Sequence, residues 1–434
     1  MDYFNYVENK LYCENVPVED IVKRAGSPCY IYSVNTVREH YQKLYSAFSA
    51  LNPLICFSIK NCNNTEIISE LVQLGSGIDT VSGGEIYLAR KAGTPSEKIV
   101  FAGIGKTDEE ITYALDQEIG IFNVESEAEF ENISRLAGQK GKRIKVALRV
   151  TPDVVDEKTH DKTKTGYKGS KFGVDIDRAI EFFETYGNDP YVSLSGIHIH
   201  IGSPIYSPQP YEIAIKKILA LITELEKKGH TIDIFDIGGG YSADYEKGKS
   251  SSFEEFASVI VPLLKPRADK GMQVIMEPGR TITGNAGILV TKVVYIKDNG
   301  DKKFAIVDTG MHHLIRPALY EASHFMWPVD RQHYVNEGRN IGHSAEDLIK
   351  YDVVGPICES SDYLARDRYL PPAQKGDLIA IFTAGAYGMV MASNYNATLK
   401  PAEVMVDKDT AYVIRERETL DDLTRLNTKR ALEI

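Results

Sequence analysis

The sequence predicts an α/β protein: a (β/α)8, TIM-like barrel with a C-terminal β domain that takes in an N-terminal strand. Three observations predict it. The 434 residues exceed one small core and suit a large domain plus a smaller one. Short apolar runs rich in β-branched residues alternate with amphipathic, helix-like stretches as far as residue 283. Beyond Gly284 the long helical stretches give way to short strand-like runs separated by turn residues. The expected organisation is residues 1–35 joining the β domain, 36–283 forming the barrel and 284–434 forming the β domain.

The barrel strands are expected at 55–60, 77–81, 99–103, 119–124, 144–150, 194–201, 232–237 and 273–277. Most are uninterrupted apolar runs, as suits a parallel sheet covered by helices. Helices are expected at 64–74, 84–92, 107–117, 126–138, 177–186, 209–228 and 252–270. The alternation alone also admits a doubly wound open sheet; the count of eight favours the barrel. The longest interruption, 151–169, is polar and lysine-rich and follows a strand, a length typical of lids or disordered segments. In the β domain, strands are expected at 287–297, 304–308, 351–354, 377–382 and 411–415, with turns at Asp298–Asp301 and Lys375–Asp377. The run 28–33 is also strand-like and can join them.

Composition narrows the function. Hydrophobic residues make up 43% and charged residues 26%, ordinary for a soluble globular protein. No apolar run approaches the length of a membrane span, and the first residues lack a basic stretch followed by an apolar one. Five cysteines (Cys13, Cys29, Cys56, Cys62, Cys358) form an odd set without CxxC spacing, which argues against a disulfide framework or a structural zinc site. A reducing, cytoplasmic compartment is expected. The formal net charge of -11, with no basic block, argues against a nucleic-acid partner.

Several residues could carry chemistry. Lys60 closes the apolar run ICFSIK, where a hydrophobic stem would lower its amine pKa and favour Schiff-base formation; a lysine snorkelling at a strand end is the competing reading. Gly238, Gly239 and Gly240 follow the seventh strand, and barrel phosphate sites use the loops after strands seven and eight; a tight turn would look the same. MEPGR ends the eighth strand. Its Glu277 could pair with a protonated ring nitrogen and its Arg280 with an anion, or the two could form a rim ion pair. His198 and His200 occupy alternate positions of the sixth strand and face one side, but no further ligand stands at matching spacing, so no metal site is expected. GPICESSD supplies Cys358, Glu359 and Asp362; a lone buried cysteine would more simply be packing. Tyr387 and Tyr395 could be core aromatics with a hydrogen-bonding tip.

Taken together, SIKNCNN, GSGIDTVSGGEIYLARKAG, KFGVD, GIHIHIGS, DIGGGY, MEPGR, MHHLIRPALYEASH, GPICESSD and GAYGMVMASNYNA occur in one order between about Pro28 and Glu403. In this the chain resembles the diaminopimelate decarboxylases, within the barrel-type decarboxylases that use pyridoxal 5'-phosphate. The resemblance implies a barrel carrying the cofactor, a β domain, and a head-to-tail homodimer with shared active sites. It implies that Lys60 holds the cofactor covalently, that His200 lies against its ring and that Glu277 pairs with the ring nitrogen. Asp79 and Glu85 match acidic residues near the lysine and ring. Ser203, Gly240, Arg280 and Tyr387 match phosphate-binding positions, with Arg280 and Tyr387 also within reach of substrate. Arg316, Tyr320 and Glu359 match residues that recognise the far end of diaminopimelate, and Cys358 matches the partner-supplied general acid. Residues 151–169 match a mobile loop over the site. One departure stands out: the family's first motif is closer to YAxKAN, whereas this chain reads FSIKNCN, keeping the lysine but not its neighbours.

The implied activity is decarboxylation of meso-diaminopimelate to L-lysine. Ornithine, lysine, carboxynorspermidine or a carrier-bound glutamyl group are the alternative substrates. Racemases on this barrel place an arginine where this chain has Glu277, which speaks against racemisation. A non-catalytic cofactor carrier would be expected to lose Cys358 or Arg316, and both are present.

Overall fold

A computed structural model describes residues 2–245, 250–336, 338–430 and 432. Two compact units are formed. One runs from Val37 to Asp244 and resumes as far as Thr283; the other combines the chain up to Thr36, Tyr245 and the chain from Gly284 onward.

The first unit is a closed parallel barrel. Its strands are Leu54–Ser58, Gly77–Thr80, Ile99–Phe101, Ile121–Val124, Ile144–Thr151, Val192–His198, Ile234–Asp236 and Gln273–Met276. The last pairs with the first through Ile275↔Leu54 and Met276↔Ile55, and the fourth meets the fifth through Phe122↔Val146, so the sheet has no gap. This closure excludes the open-sheet alternative. Side chains from six strands (Cys56, Val100, Ile121, Ala147, Ile234, Ile275) form a buried cluster that fills the interior. The helices start where the sequence offers caps: Asn64, Ser82, Thr107, Ser126 and Ser252 each accept a backbone N–H of the following first turn. A short extra strand, Val174–Asp175, extends the sheet beside Val150 and Thr151.

The second unit centres on a mixed sheet. Its strands run in the spatial order Tyr363–Leu370, Ile349–Val354, Lys303–Val307, Gly287–Asp298, Cys29–Ser33, Ala402–Asp407 and Thr410–Arg415. Leu378–Ile381 also pairs with Gly287–Asp298 and with Met326–Pro328. Cys29–Ser33 is the expected N-terminal strand, and it is central: every residue is buried, with Gly287–Asp298 antiparallel on one side and Ala402–Asp407 parallel on the other. Tyr32 Oη donates to Glu403 Oε1 at 2.8 Å, and Arg415 Nε donates to Glu403 Oε2 at 2.6 Å, so the buried Glu403 carboxylate is satisfied from both sides. The chain before it forms a small antiparallel sheet of Phe4–Val7, Lys10–Cys13 and Val16–Pro17. Among the described residues no helix is long and apolar enough to cross a membrane.

Removing the first 35 residues would expose the facing edges of Gly287–Asp298 and Ala402–Asp407. Unpaired apolar edges template association. The truncated chain is expected to aggregate, read by light scattering and size exclusion; a soluble, cooperatively melting product would contradict this account.

Candidate active site

The C-terminal ends of the barrel strands gather the polar side chains, as the architecture requires of a barrel's working face. The first strand ends at Ser58, so Lys60 does not close it: the lysine lies in the 3-10 turn Ile59–Asn61 that follows. The turn forms because Asn61 Nδ2 caps the Ser58 carbonyl while Asn61 Oδ1 accepts from Thr283 Oγ1. Lys60 Nζ lies 2.6 Å from Asp79 Oδ2, with the lysine side chain 31% exposed and the aspartate fully buried. Ser58 Oγ, between strands one and eight, lies 2.6 Å from the same Asp79 oxygen and 3.0 Å from the Glu277 carbonyl oxygen. Burial, followed by the neighbouring Glu277 charge, raises the Asp79 pKa above its ordinary value, while Lys60 opposes the rise. Asp79 Oδ1 is buried without a hydrogen-bond partner among the described residues. Nearby, Glu85 Oε2 accepts from the Val81 N–H at 2.7 Å, and burial pushes its carboxyl up to about 7.

Below the rim lies a second cluster. Glu277 is buried just past the eighth strand, its Oε2 3.2 Å from His198 Nε2 and its Oε1 3.3 Å from Asn123 Nδ2. The same Asn123 nitrogen is 3.3 Å from Asp236 Oδ2. Ligand atoms of His198, Asp236 and Glu277 all fall within 4.8 Å of one another. The sixth-strand histidine therefore does meet carboxylates, but from strands seven and eight, which spacing along one strand could not reveal. Burial opposes ionisation of Glu277, yet His198, Lys60 and a hydrogen bond from Asp236 outweigh it and hold its carboxyl well below the usual range. Asp236 goes the other way, pushed well above its ordinary value by burial and then by the Glu277 charge. Two adjacent buried carboxyls cannot both ionise. Asp236 keeps the proton and Glu277 the charge.

The glycine run follows the seventh strand. A Cβ on Gly239 would stand 1.8 Å from the Glu277 carbonyl oxygen, and one on Gly240 would stand 2.2 Å from the Gly202 carbonyl oxygen, where φ is also +111°. Gly238 has φ +70° and its N–H donates to Asp236 Oδ1 at 2.9 Å. Only glycines let this backbone pass so close to the neighbouring loops. Arg280 Nε donates to Ser203 Oγ at 3.2 Å, bringing the loops after strands six and eight together. His200 Nδ1 is 2.8 Å from Thr165 Oγ1, whose hydroxyl lies 2.9 Å from the His200 carbonyl oxygen. The carbonyl can only accept, so the threonine O–H donates to it and the imidazole N–H donates to the threonine oxygen. Desolvation, aided by the Arg149 and Lys60 cations, holds the His200 pKa well below its ordinary value, and the ring is neutral. The long segment 151–169 is fastened here as well, by Thr159 Oγ1 to the Pro204 carbonyl at 2.6 Å and by Ser203 N–H to the Thr163 carbonyl at 3.3 Å.

In the β unit, Arg316–Tyr320 is a short helix that sets Arg316 and Tyr320 four residues apart on one face. The buried Arg316 guanidinium has its carbon 4.7 Å from the Tyr245 ring centroid, and its Nη1 is 2.8 Å from His324 Nε2. Tyr387 holds a left-handed backbone, φ 55°, for a non-glycine residue. Such a conformation costs on the order of 1 kcal/mol or more and tends to mark functional positions. Cys358 is exposed, so the reading of a lone buried packing thiol does not apply to it, while the other four cysteines are buried. Glu359 beside it accepts from Tyr395 Oη and from Ser361 Oγ at 2.8 Å; these bonds lower its pKa. Asp362 anchors this turn: its carboxylate accepts the Met311 and Ile357 N–H groups at 2.6 and 2.7 Å. Asn123, Asp236 and His324 escaped the sequence reading. Of these Asp236 opens DIGGGY, one residue before the three glycines, and His324 closes MHHLIRPALYEASH, so both carried a local signal and Asn123 did not.

A barrel mouth with an amine, an ionised buried carboxylate and a glycine turn defines a class of protein, and comparison agrees. Residues 34–284 match the family described as pyridoxal-dependent decarboxylase, pyridoxal binding domain. Over the full length the chain is 42% identical to a diaminopimelate decarboxylase of Aquifex aeolicus, covering 96% of both chains, and 41% identical to that of Haemophilus influenzae, covering 99% and 100%. The crystal structure of diaminopimelate decarboxylase from M. jannaschii in co-complex with L-lysine superposes with a TM-score of 0.90 at 33% identity, covering 99% of this chain and 98% of that one. The chain belongs to the pyridoxal-dependent decarboxylases and, among them, to the diaminopimelate decarboxylase family. Its cofactor is pyridoxal 5'-phosphate. The residues fit that group: the Lys60 amine can bond an aldehyde, the Glu277 charge matches a protonated ring nitrogen, and buried Asp79 Oδ1 has an unused acceptor site.

The raised Glu85 pKa has a consequence for stability. Between its ordinary value of 4.5 and the folded value of about 7, the folded state binds more protons than the unfolded one, so stability falls as pH rises through this window. In the apoprotein, Glu85→Gln is expected to gain stability over wild type as pH climbs from about 5 to about 8, by up to about 3 kcal/mol. Denaturant melts across pH check this; an offset independent of pH would contradict it.

Proposed function

We propose that this protein removes carbon dioxide from meso-2,6-diaminopimelate and releases L-lysine, the closing step of lysine biosynthesis. We further propose that it works as a homodimer whose active sites are shared between chains. The observation that carries the reading is the ionised Glu277 carboxylate, buried in the same barrel mouth as the Lys60 amine. Relatives bearing the name diaminopimelate decarboxylase align over the whole chain, and one solved relative holds L-lysine.

When bound, pyridoxal phosphate supplies an electron sink for the pair left as the carboxylate departs. Lys60 would hold the cofactor through its Nζ, and Asp79, 2.6 Å away, is positioned to hold or take up a proton at that nitrogen. Glu277, held ionised while Asp236 keeps a proton, would pair with a protonated ring nitrogen of that group. His200, neutral and tethered to Thr165, offers a flat uncharged face to an aromatic ring. Gly238, Gly239, Gly240, Ser203, Arg280 and Tyr387 hold the phosphate, with Arg280 and Tyr387 also meeting substrate.

Arg316 and Tyr320 receive the distal carboxylate, which a planar guanidinium can bind bidentately. Cys358 delivers from Sγ the proton that replaces the lost carboxylate at the α-carbon, and Glu359 recognises the distal ammonium. Both residues are exposed on their own chain, which suits groups presented to a partner's site. A substrate without the second carboxylate would lose the bidentate contact with Arg316 and be selected against.

Lys60→Ala is expected to abolish activity and, independently, the borohydride-reducible cofactor linkage; a reducible lysine adduct surviving in that variant would overturn the assignment. Carbon dioxide release should be seen with meso-diaminopimelate and not with L-lysine, L-ornithine or L-arginine. Arg316→Ala is expected to lose about a hundredfold in kcat/KM for diaminopimelate, the order set by hydrogen bonds to a charged group, while retaining cofactor absorbance. Parallel loss of both would show Arg316 to be structural.

A further inference from the structure

We propose that His324 is the positioning residue that fixes the plane of the Arg316 guanidinium, and so sets the selection for a substrate with a distal carboxylate. The inference deepens, and rests on, the role proposed above for Arg316.

His324 is fully buried. Its Nδ1 lies 2.9 Å from the Phe382 carbonyl oxygen, which can only accept, so Nδ1 carries a hydrogen. In the neutral ring Nε2 is then a lone pair, and it accepts from Arg316 Nη1 at 2.8 Å. The backbone of His324 is pinned in turn. Its carbonyl accepts from the buried Arg368 Nη1 at 2.9 Å, and the Phe382 N–H donates to the adjoining Phe325 carbonyl at 2.8 Å. Tyr245 completes the setting, its ring under the Arg316 guanidinium and edge-on to the His324 imidazole, 5.6 Å between ring centroids at 85°.

Arg316 is thus fixed in two directions, by a ring across its face and by an acceptor at its edge. The acceptor's chemistry matters. An aspartate or glutamate at this place would orient the guanidinium equally well but would neutralise it, competing with the carboxylate of the substrate. A neutral imidazole directs the fork without adding a counter-charge of its own. Because bidentate recognition depends on coplanarity, loss of the edge acceptor should weaken carboxylate binding without touching the reacting centre.

The test is steady-state decarboxylation of meso-diaminopimelate by the holoenzyme, comparing wild type, Arg316→Ala, His324→Phe, His324→Gln and the double variant Arg316→Ala/His324→Phe. Phenylalanine keeps the ring volume and loses both nitrogens. Glutamine can donate to the Phe382 carbonyl and accept from Arg316. His324→Phe is expected to raise KM about tenfold or more, as loss of one hydrogen bond to a charged group implies, with kcat and cofactor absorbance little changed. His324→Gln should restore most of the loss, and His324→Phe should add nothing in the Arg316→Ala background. A wild-type KM in His324→Phe, a glutamine variant as impaired as the phenylalanine one, or additive losses in the double variant would overturn the inference while leaving the function intact. A wild type inactive on meso-diaminopimelate would overturn the function and this inference with it.

Discussion

One buried negative charge organises the barrel's working face. Glu277 sits where burial should protonate it, and it remains ionised because Asp236 holds the proton, His198 flanks it and Lys60 stands nearby. His198 and Asp236 come from the sixth and seventh strands, alongside the eighth, whereas Lys60 is brought near only by closure of the barrel. Closure itself depends on the first and eighth strands meeting, and Ser58 spans that seam to reach both Asp79 and the Glu277 carbonyl. Fold and electrostatics are one constraint here: Asp236 and Glu277 are neighbours on adjacent strands, but an open sheet would take Lys60 and Asn123 away from them.

The fold was legible in the sequence to a large extent because its signals were local. Uninterrupted apolar runs marked most of the parallel strands, and the amphipathic stretches between them marked the helices. What stayed hidden was non-local or mixed in character. Tyr363–Leu370 escaped because Arg366, Asp367 and Arg368 interrupt its apolar pattern, although Arg368 is buried against the His324 carbonyl. Ala402–Asp407 escaped because its partner lies some 370 residues earlier, in the strand at Cys29. Lys60 read as the end of a strand because nothing in ICFSIK reveals that Asn61 bends the chain back onto Ser58.

The site follows the same division. Residues with characteristic neighbours, such as Lys60, the glycines and Glu277, were visible, and the ordered motifs made the family plain. Asn123 was not, since an asparagine inside IFNV acquires meaning only through Glu277, far along the chain, and His324, though it closes one of those motifs, was not singled out because its bonds to Arg316 and Phe382 appear only in the fold. These are the residues that hold others in place.

The central place of Cys29–Ser33 bears on how the molecule is made. This strand leaves the ribosome early, yet its parallel neighbour, Ala402–Asp407, is synthesised almost last. All the barrel residues emerge in between, so the barrel can complete its ring while a segment destined for complete burial waits without either neighbour. That waiting interval is the stretch of biogenesis in which the nascent chain most needs shelter from its own kind, and a chaperone that recognises short aromatic, extended segments would find Cys-Tyr-Ile-Tyr-Ser the natural handle.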